Sequence, residues 1–249
     1  MGTIVGIGGG DMEALETLEI EKRVVELTGR ADPKVLFVPT ASYDSVERWE
    51  VFRGLYGRRL GCRTDVLYLL NRNPDQGELE ERILSADLIY VGGGNTLKMM
   101  RRWRRLGVDD LLREAHGRGI VLAGRSAGMI CWFKYGHSDS MSFYSPDCWS
   151  YVRVKGMGLI DAIGCPHYNG ATAGVPREKE FRRMVRRYPE LGIAVGNHCA
   201  IEFVDDGYRV ITSRPDVGAY RLFKGADGLV VESLAQSASY STMAALMTP

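Results

Sequence analysis

The sequence predicts an α/β fold built on a largely parallel sheet, and three observations carry that expectation. Through the first half, short runs of consecutive apolar residues alternate with segments whose apolar residues recur at helical spacing. The strand-like runs are apolar throughout rather than on every second residue, which suits a sheet covered on both faces. Three of them stop at glycine-rich or small-residue turns. In open parallel sheets, ligands bind beyond the carboxyl ends of the strands, so that edge is where chemistry is expected.

Taken in order, residues 3–8 form a β-branched strand ending at Gly8-Gly9-Gly10. Residues 12–27 read as a helix with acidic residues early, where a helix N-terminus favours them. Residues 34–39 (KVLFVP) are a second strand, followed by the turn Thr40-Ala41-Ser42. A helix over 46–60, a strand over 64–69 and a short helix over 77–86 come next. The strand 87–91 (DLIYV) ends in Gly92-Gly93-Gly94-Asn95-Thr96, and 97–117 reads as one long Arg- and Leu-rich helix. Strand 119–123 (GIVLA) runs into Gly124-Arg125-Ser126-Ala127-Gly128, and 127–133 is expected to be helical. Periodicity then weakens: 135–155 is rich in Ser, Asp and aromatic residues and reads as loops and short strands. A helix over 181–187 precedes strands at 193–195, 200–204 and 208–212, with Asp205-Asp206-Gly207 as a hairpin turn. One more strand starts at Leu229, and the small, polar last ~15 residues are expected to form a flexible tail.

Nothing along the 249 residues looks like a linker, so one domain over 1–249 is expected. Hydrophobic content of 45% and charged content of 25% are those of an ordinary globular protein. The formal net charge of +1 supplies no global field for nucleic acid or anionic membrane surfaces. The Arg-rich runs near 101–105 and 182–187 fall at helical spacing and read as solvated faces. The five cysteines are scattered without zinc-ligand spacing, so neither a metal nor another cofactor is expected. The opening MGTIVGIGGGD reads as a buried strand rather than a signal peptide, and no apolar stretch reaches the roughly 20 residues that span a bilayer. A cytoplasmic location follows as the expectation.

Gly124–Gly128 fits G-x-S-x-G between a strand and a helix. Such a turn forces its central residue into strained backbone geometry and lifts the Ser126 hydroxyl clear of the sheet. The Ala127 amide and the following helix then face developing negative charge. A serine nucleophile needs a base. His167, held behind Pro166 in Cys165-Pro166-His167-Tyr168-Asn169, is favoured over His137, which would otherwise line the pocket. The acid would then follow the histidine in sequence, an order unlike that of the ordinary α/β-hydrolases.

The segments VGGGNT (91–96), GRSAG (124–128) and CPHYN (165–169) together resemble the peptidase E and cyanophycinase family over nearly the whole chain. That resemblance implies a flavodoxin-like or class I glutamine-amidotransferase-like parallel-sheet sandwich with a C-terminal β-hairpin region. It implies a serine peptidase acting on a small peptide, in the best-known members one with aspartate beside the scissile bond. Carried over by motif, Ser126 is the nucleophile and His167 the base, with Ala127 and the Gly93-Gly94 turn as oxyanion hole. The family's acidic third member aligns with Asn197, and an asparagine orients an imidazole without charge to stabilise its protonated form. Asp139 is the leading substitute, ahead of Glu202. Arg177, near an arginine of peptidase E, and Arg125, at the x position of the elbow, are candidate anchors for an acidic substrate. Monomers and homodimers both occur in the family. The main competing expectation is a peptidase-E-like pocket that binds without cutting. An amidotransferase is disfavoured by Ser126 at the elbow, and a nucleotide site by the lack of G-x-G-x-x-G.

Overall fold

The computed structural model describes residues 2–248. Its first half alternates as the sequence predicts: β1 (Thr3–Ile7), α1 (Leu18–Glu26), β2 (Lys34–Val38), α2 (Val46–Phe52), β3 (Arg63–Val66), α3 (Gln76–Leu84), β4 (Leu88–Val91), α4 (Thr96–Leu106), α5 (Val108–Gly117) and β5 (Val121–Arg125). After Ser126 come α6 (Ala127–Ile130), β6 (Phe133–Ser138), β7 (Val152–Lys155) and β8 (Ile160–Cys165). A small ribbon, β9 (Ala171–Thr172) with β10 (Val175–Pro176), leads into α7 (Arg177–Arg187). The chain ends with β11 (Gly192–Val195), β12 (Cys199–Val204), β13 (Gly207–Thr212), β14 (Ala219–Gly225), β15 (Gly228–Leu234), β16 (Ser241–Thr242) and α8 (Met243–Met247).

The strands form two principal sheets. The first has the order β16-β13-β12-β1-β5-β4-β2-β3. Its β1-β5-β4-β2-β3 part is parallel, and the β12–β13 hairpin joins it antiparallel against β1. The second has the order β15-β14-β11-β8-β6-β7, with β6, β8 and β11 parallel. The fold is thus mixed α/β with two parallel-centred sheets.

Strand alternation assigns each face. Val35, Phe37, Leu88 and Tyr90 pack with Ile20 and Val24 of α1 and Phe52 of α2. Leu36, Val38, Ile89 and Val91 pack on the other face with α3–α5, through Ile83, Met99, Trp103 and Leu112, and with Ile193 and Val195 of the second sheet. The alternate residues of that second sheet, Ile163 and Ala194, pack with Phe181 and Val185 of α7. Two sheets thus share one core between them, and each has a helical layer outside.

Several elements differ from the sequence reading. The helix expected over 12–27 starts only at Leu18, because the Asp11 carboxylate accepts from the Glu13 and Ala14 N–H groups and Leu15 takes φ 58°, folding 11–17 into turns. The helix expected over 97–117 is two, broken at Gly107, which takes φ 70° and donates its N–H to the Trp103 carbonyl. The helix after Ser126 is a single turn. The tail is ordered to Thr248: β16 pairs with β13, Leu246 is buried, and Arg221 donates to the Ala245 and Thr248 carbonyls at 2.7 and 2.9 Å. Among the described residues no helix is long and apolar enough to cross a membrane.

Candidate active site

Ser126 sits where β5 turns into α6, with φ 58° and ψ −112°, a conformation that non-glycine residues avoid. Its N–H is held by the Ile7 carbonyl at 3.0 Å. The turn closes tightly: a Cβ at Gly128 would run into the Val91 carbonyl, so the elbow requires a residue without a side chain there. Among the described residues the Ser126 hydroxyl has no hydrogen-bond partner, and it opens onto a cavity of about 650 Å³.

The wall beside it is the Gly92–Gly94 turn after β4. A Cβ at Gly93 would lie 3.1 Å from the Ser126 Cβ, so only a bare backbone brings that peptide so close to Ser126. Among the described residues, the N–H groups of Gly93, Gly94 and Ala127 donate to no backbone acceptor. Gly93 and Gly94 line the cavity, and Ala127 follows Ser126 directly.

His167 lines the same cavity from the end of β8. It also stands at positive φ, 51°, with its N–H donating to the Gly8 carbonyl at 3.1 Å. Its Nδ1 lies 2.6 Å from Asn197 Oδ1. An oxygen there accepts, so Nδ1 carries the proton and Nε2 is left as the basic nitrogen. Asn197 is itself held by its N–H to Asn169 Oδ1 at 2.7 Å. Both residues pack on the turn after β1: a Cβ at Gly9 would run into Asn197 Oδ1 and His167 Nδ1. Burial, with the Arg177 charge second, holds the His167 imidazole down at about 4, against the Asn197 hydrogen bond and Asp139, which raise it. His167 is therefore neutral, and able to accept a proton, across the physiological range.

The remaining sequence candidates divide. Arg125 lines the cavity, where its guanidinium donates to the Gly10 carbonyl. Asp139 makes no hydrogen bond to His167; its carboxylate accepts from Arg177 at 2.7 Å and from the Thr172 hydroxyl at 3.0 Å. Arg177 is buried, donates its second Nη to the His137 carbonyl at 3.1 Å, and is absent from the cavity wall. His137 is buried too, stacked on Tyr151 at 4.2 Å with its Nδ1 3.7 Å from Cys165 Sγ. These three cluster at the end of β6, and none of them lines the cavity. Glu202 is spent on Arg23 and Arg209. Cys165, whose thiol burial pushes up to about 12, is no rival nucleophile.

The sequence reading passed over other residues of the wall. Asp11, Arg48, Tyr43, Tyr90 and Phe143 all face the cavity. Tyr90 also donates at 3.2 Å to Glu21, a buried carboxylate held by Tyr56 and Thr17 as well, whose proton affinity burial raises. Asp11 straight after Gly8–Gly10, Tyr43 straight after the turn Thr40–Ser42, and Phe143 in the aromatic-rich stretch 135–155 all stand where the sequence could have marked them. Among the described residues no group of three or more His, Cys, Asp or Glu side chains is placed to hold a metal ion.

Peptidase family S51 matches residues 4–211. The chain is 32% identical over 226 residues to the uncharacterized peptidase YgaJ of Bacillus subtilis (strain 168), covering 89% of this chain and 92% of that one. It is 23% identical over 203 residues to peptidase E of Nostoc sp. (strain PCC 7120), covering 78% of each. A solved peptidase from an acI-B1 Actinobacterium superposes with a TM-score of 0.74 at 23% identity, over 98% of this chain and 97% of that one, which shows the shared fold.

Proposed function

The chain belongs to peptidase family S51, and we propose that it is a serine-type peptidase of small peptides that prefers an acidic residue beside the scissile bond. The observation that carries this reading is the convergence on one cavity of a strained, unpartnered Ser126 and an imidazole whose Nδ1 is tied to Asn197. Ser126 Oγ attacks the peptide carbonyl while His167 Nε2 takes its proton. The Gly93 and Ala127 N–H groups receive the oxyanion. His167 then gives the proton to the departing amine, and water releases the acyl group by the same route in reverse. The acidic preference rests on Arg125 and Arg48 in the wall, which outnumber the carboxylate of Asp11. The free cysteines suit a reducing compartment, and we place the protein in the cytoplasm on that ground.

Asn197 favours a second reading. It orients His167 but carries no charge to stabilise the imidazolium, as a pocket that binds peptides without cutting them would permit. Hydrolysis of di- and tripeptides with and without Asp, by wild type and Ser126→Ala, separates the two. Release that disappears in the variant, with preference for Asp-containing peptides, is the expected result. No cleavage, together with no labelling of Ser126 by a fluorophosphonate, would leave the binding reading standing.

A further inference from the structure

Tyr43 and Asp44 stand one after the other in the left-handed region, at φ 61° and 57°. That conformation costs stability in a non-glycine residue and persists only where its surroundings impose it. The buried Asp44 carboxylate imposes it here, accepting from the Leu70 and Asn71 N–H groups at 2.5 and 2.9 Å. The strained turn presents the Tyr43 ring to the cavity wall with 41% of the residue exposed. Phe143, 45% exposed, faces it with ring centroids 6.4 Å apart at 42°. Neither ring belongs to a packed core, yet both line the Ser126 cavity.

Both rings are also preorganised from one place, the first turn of α4. Asn95 Nδ2 donates to the Tyr43 hydroxyl at 3.5 Å, and the Lys98 ammonium lies 3.9 Å over the Tyr43 ring. The turn bearing Phe143 is held through Ser140, whose Oγ accepts from the Leu97 N–H at 3.0 Å. Sheet order separates these rings from Asp11 and from the Gly10 carbonyl that anchors Arg125, while Arg48 comes from α2, after β2. Ser126 follows β5; Gly10 and Asp11 follow β1 on one side of it, while Tyr43 follows β2, beyond β4 on the other. A peptide lying along this sheet edge meets Arg125 and Asp11 on one side of Ser126 and the two rings on the other.

Resting on the peptidase reading above, we infer that Tyr43 and Phe143 form an aromatic clamp for an apolar side chain of the peptide. That side chain lies across the scissile bond from the residue facing Arg125. Tyr43 and Phe143 are then specificity-determining residues, since they select a substrate by burying its side chain and take no part in bond cleavage.

The test is kcat/KM for Asp-Xaa and Xaa-Asp dipeptides, with Xaa as Phe, Leu, Ser or Gly, using wild type, Tyr43→Ser and Phe143→Ser. Wild type should favour Phe and Leu over Gly by roughly tenfold or more, chiefly through KM, and each variant should reduce that ratio to about threefold or less. Equal treatment of Phe and Gly by wild type, or a ratio that survives both substitutions, overturns the clamp and leaves the peptidase reading intact. If no dipeptide is cut, the peptidase reading fails instead. Calorimetry with Ser126→Ala as the background then decides the clamp: tighter binding of the Phe and Leu peptides, lost on adding Tyr43→Ser, supports it. Equal affinity for all, or no binding, overturns it.

Discussion

A histidine that serves as base must be neutral, and its proton must sit on the nitrogen facing away from the nucleophile. In this site Asn197 meets the second demand and burial the first. With the imidazole held at about 4, protonation of the free enzyme should abolish attack only well below the ordinary histidine range. The acid limb of kcat/KM is therefore expected near pH 4, and a limb near pH 6.5 would contradict it. The same depression sets a stability window. The unfolded chain binds the proton more strongly, so between about pH 6.5 and pH 4 stability falls as pH falls, by up to about 3 kcal/mol from this residue. Asn197→Asp would place a carboxylate against Nδ1–H and favour the imidazolium. It should move the acid limb up by at least about one unit and raise kcat about tenfold at neutral pH. An unmoved limb would show that Asn197 does not govern the base. Ser126→Ala should lower kcat by about 10³-fold or more with the fold intact, checked by circular dichroism.

At the scale of elements, the site depends on turns that bring backbones closer than a side chain allows. The elbow closes over Gly128 against β4, and the turn after β1 presents bare backbone to His167 and Asn197. Gly128→Ala is expected to cost about 2–4 kcal/mol in urea unfolding, because the obstacle is a carbonyl of a buried strand that cannot move aside. Gly9→Ala meets two side chains instead. It should leave stability closer to wild type but displace the imidazole, lowering kcat about 100-fold, since misplacement of about 1 Å costs that much. Full activity in Gly9→Ala would show that the His167–Asn197 pair can shift without penalty.

In the whole molecule, the first sheet carries Ser126 and the second carries His167. Ser126 follows β5, His167 follows β8, and the β11–β12 connection with Asn197 passes from the second sheet to the first. The catalytic geometry therefore depends on how the two sheets dock. The Arg177–Asp139 pair ties the start of α7 to the end of β6 in the second sheet. Asp139→Ala leaves a buried guanidinium short of its carboxylate. Unfolding stability should drop by about 2–3 kcal/mol, less than for a fully buried pair because Asp139 is partly exposed. His167 makes no hydrogen bond to either residue, so kcat should fall less than in Gly9→Ala.

Part of this architecture is settled within short stretches of chain. Runs such as VLFV and LIYV are apolar at every residue and must be covered on both faces, whatever lies next to them. Glycines around Ser126 and a strand before it mark the elbow locally, and the CPHYN motif marks the histidine. Which distant segments meet is fixed by the docking of layers. In β14 just Ala219 and Leu222 are buried, so its place in a sheet comes from β11 and β15 rather than from its own pattern. The clustering of His137, Asp139 and Arg177 away from the cavity likewise follows from the ribbon and α7 packing on the second sheet. Tyr43 and Phe143, a hundred residues apart in sequence, meet because the start of α4 holds the turns that carry them. Local backbone preference and burial act over a few residues and can be read along the chain. The direction a side chain finally faces depends on the docking of whole layers, which no short segment encodes.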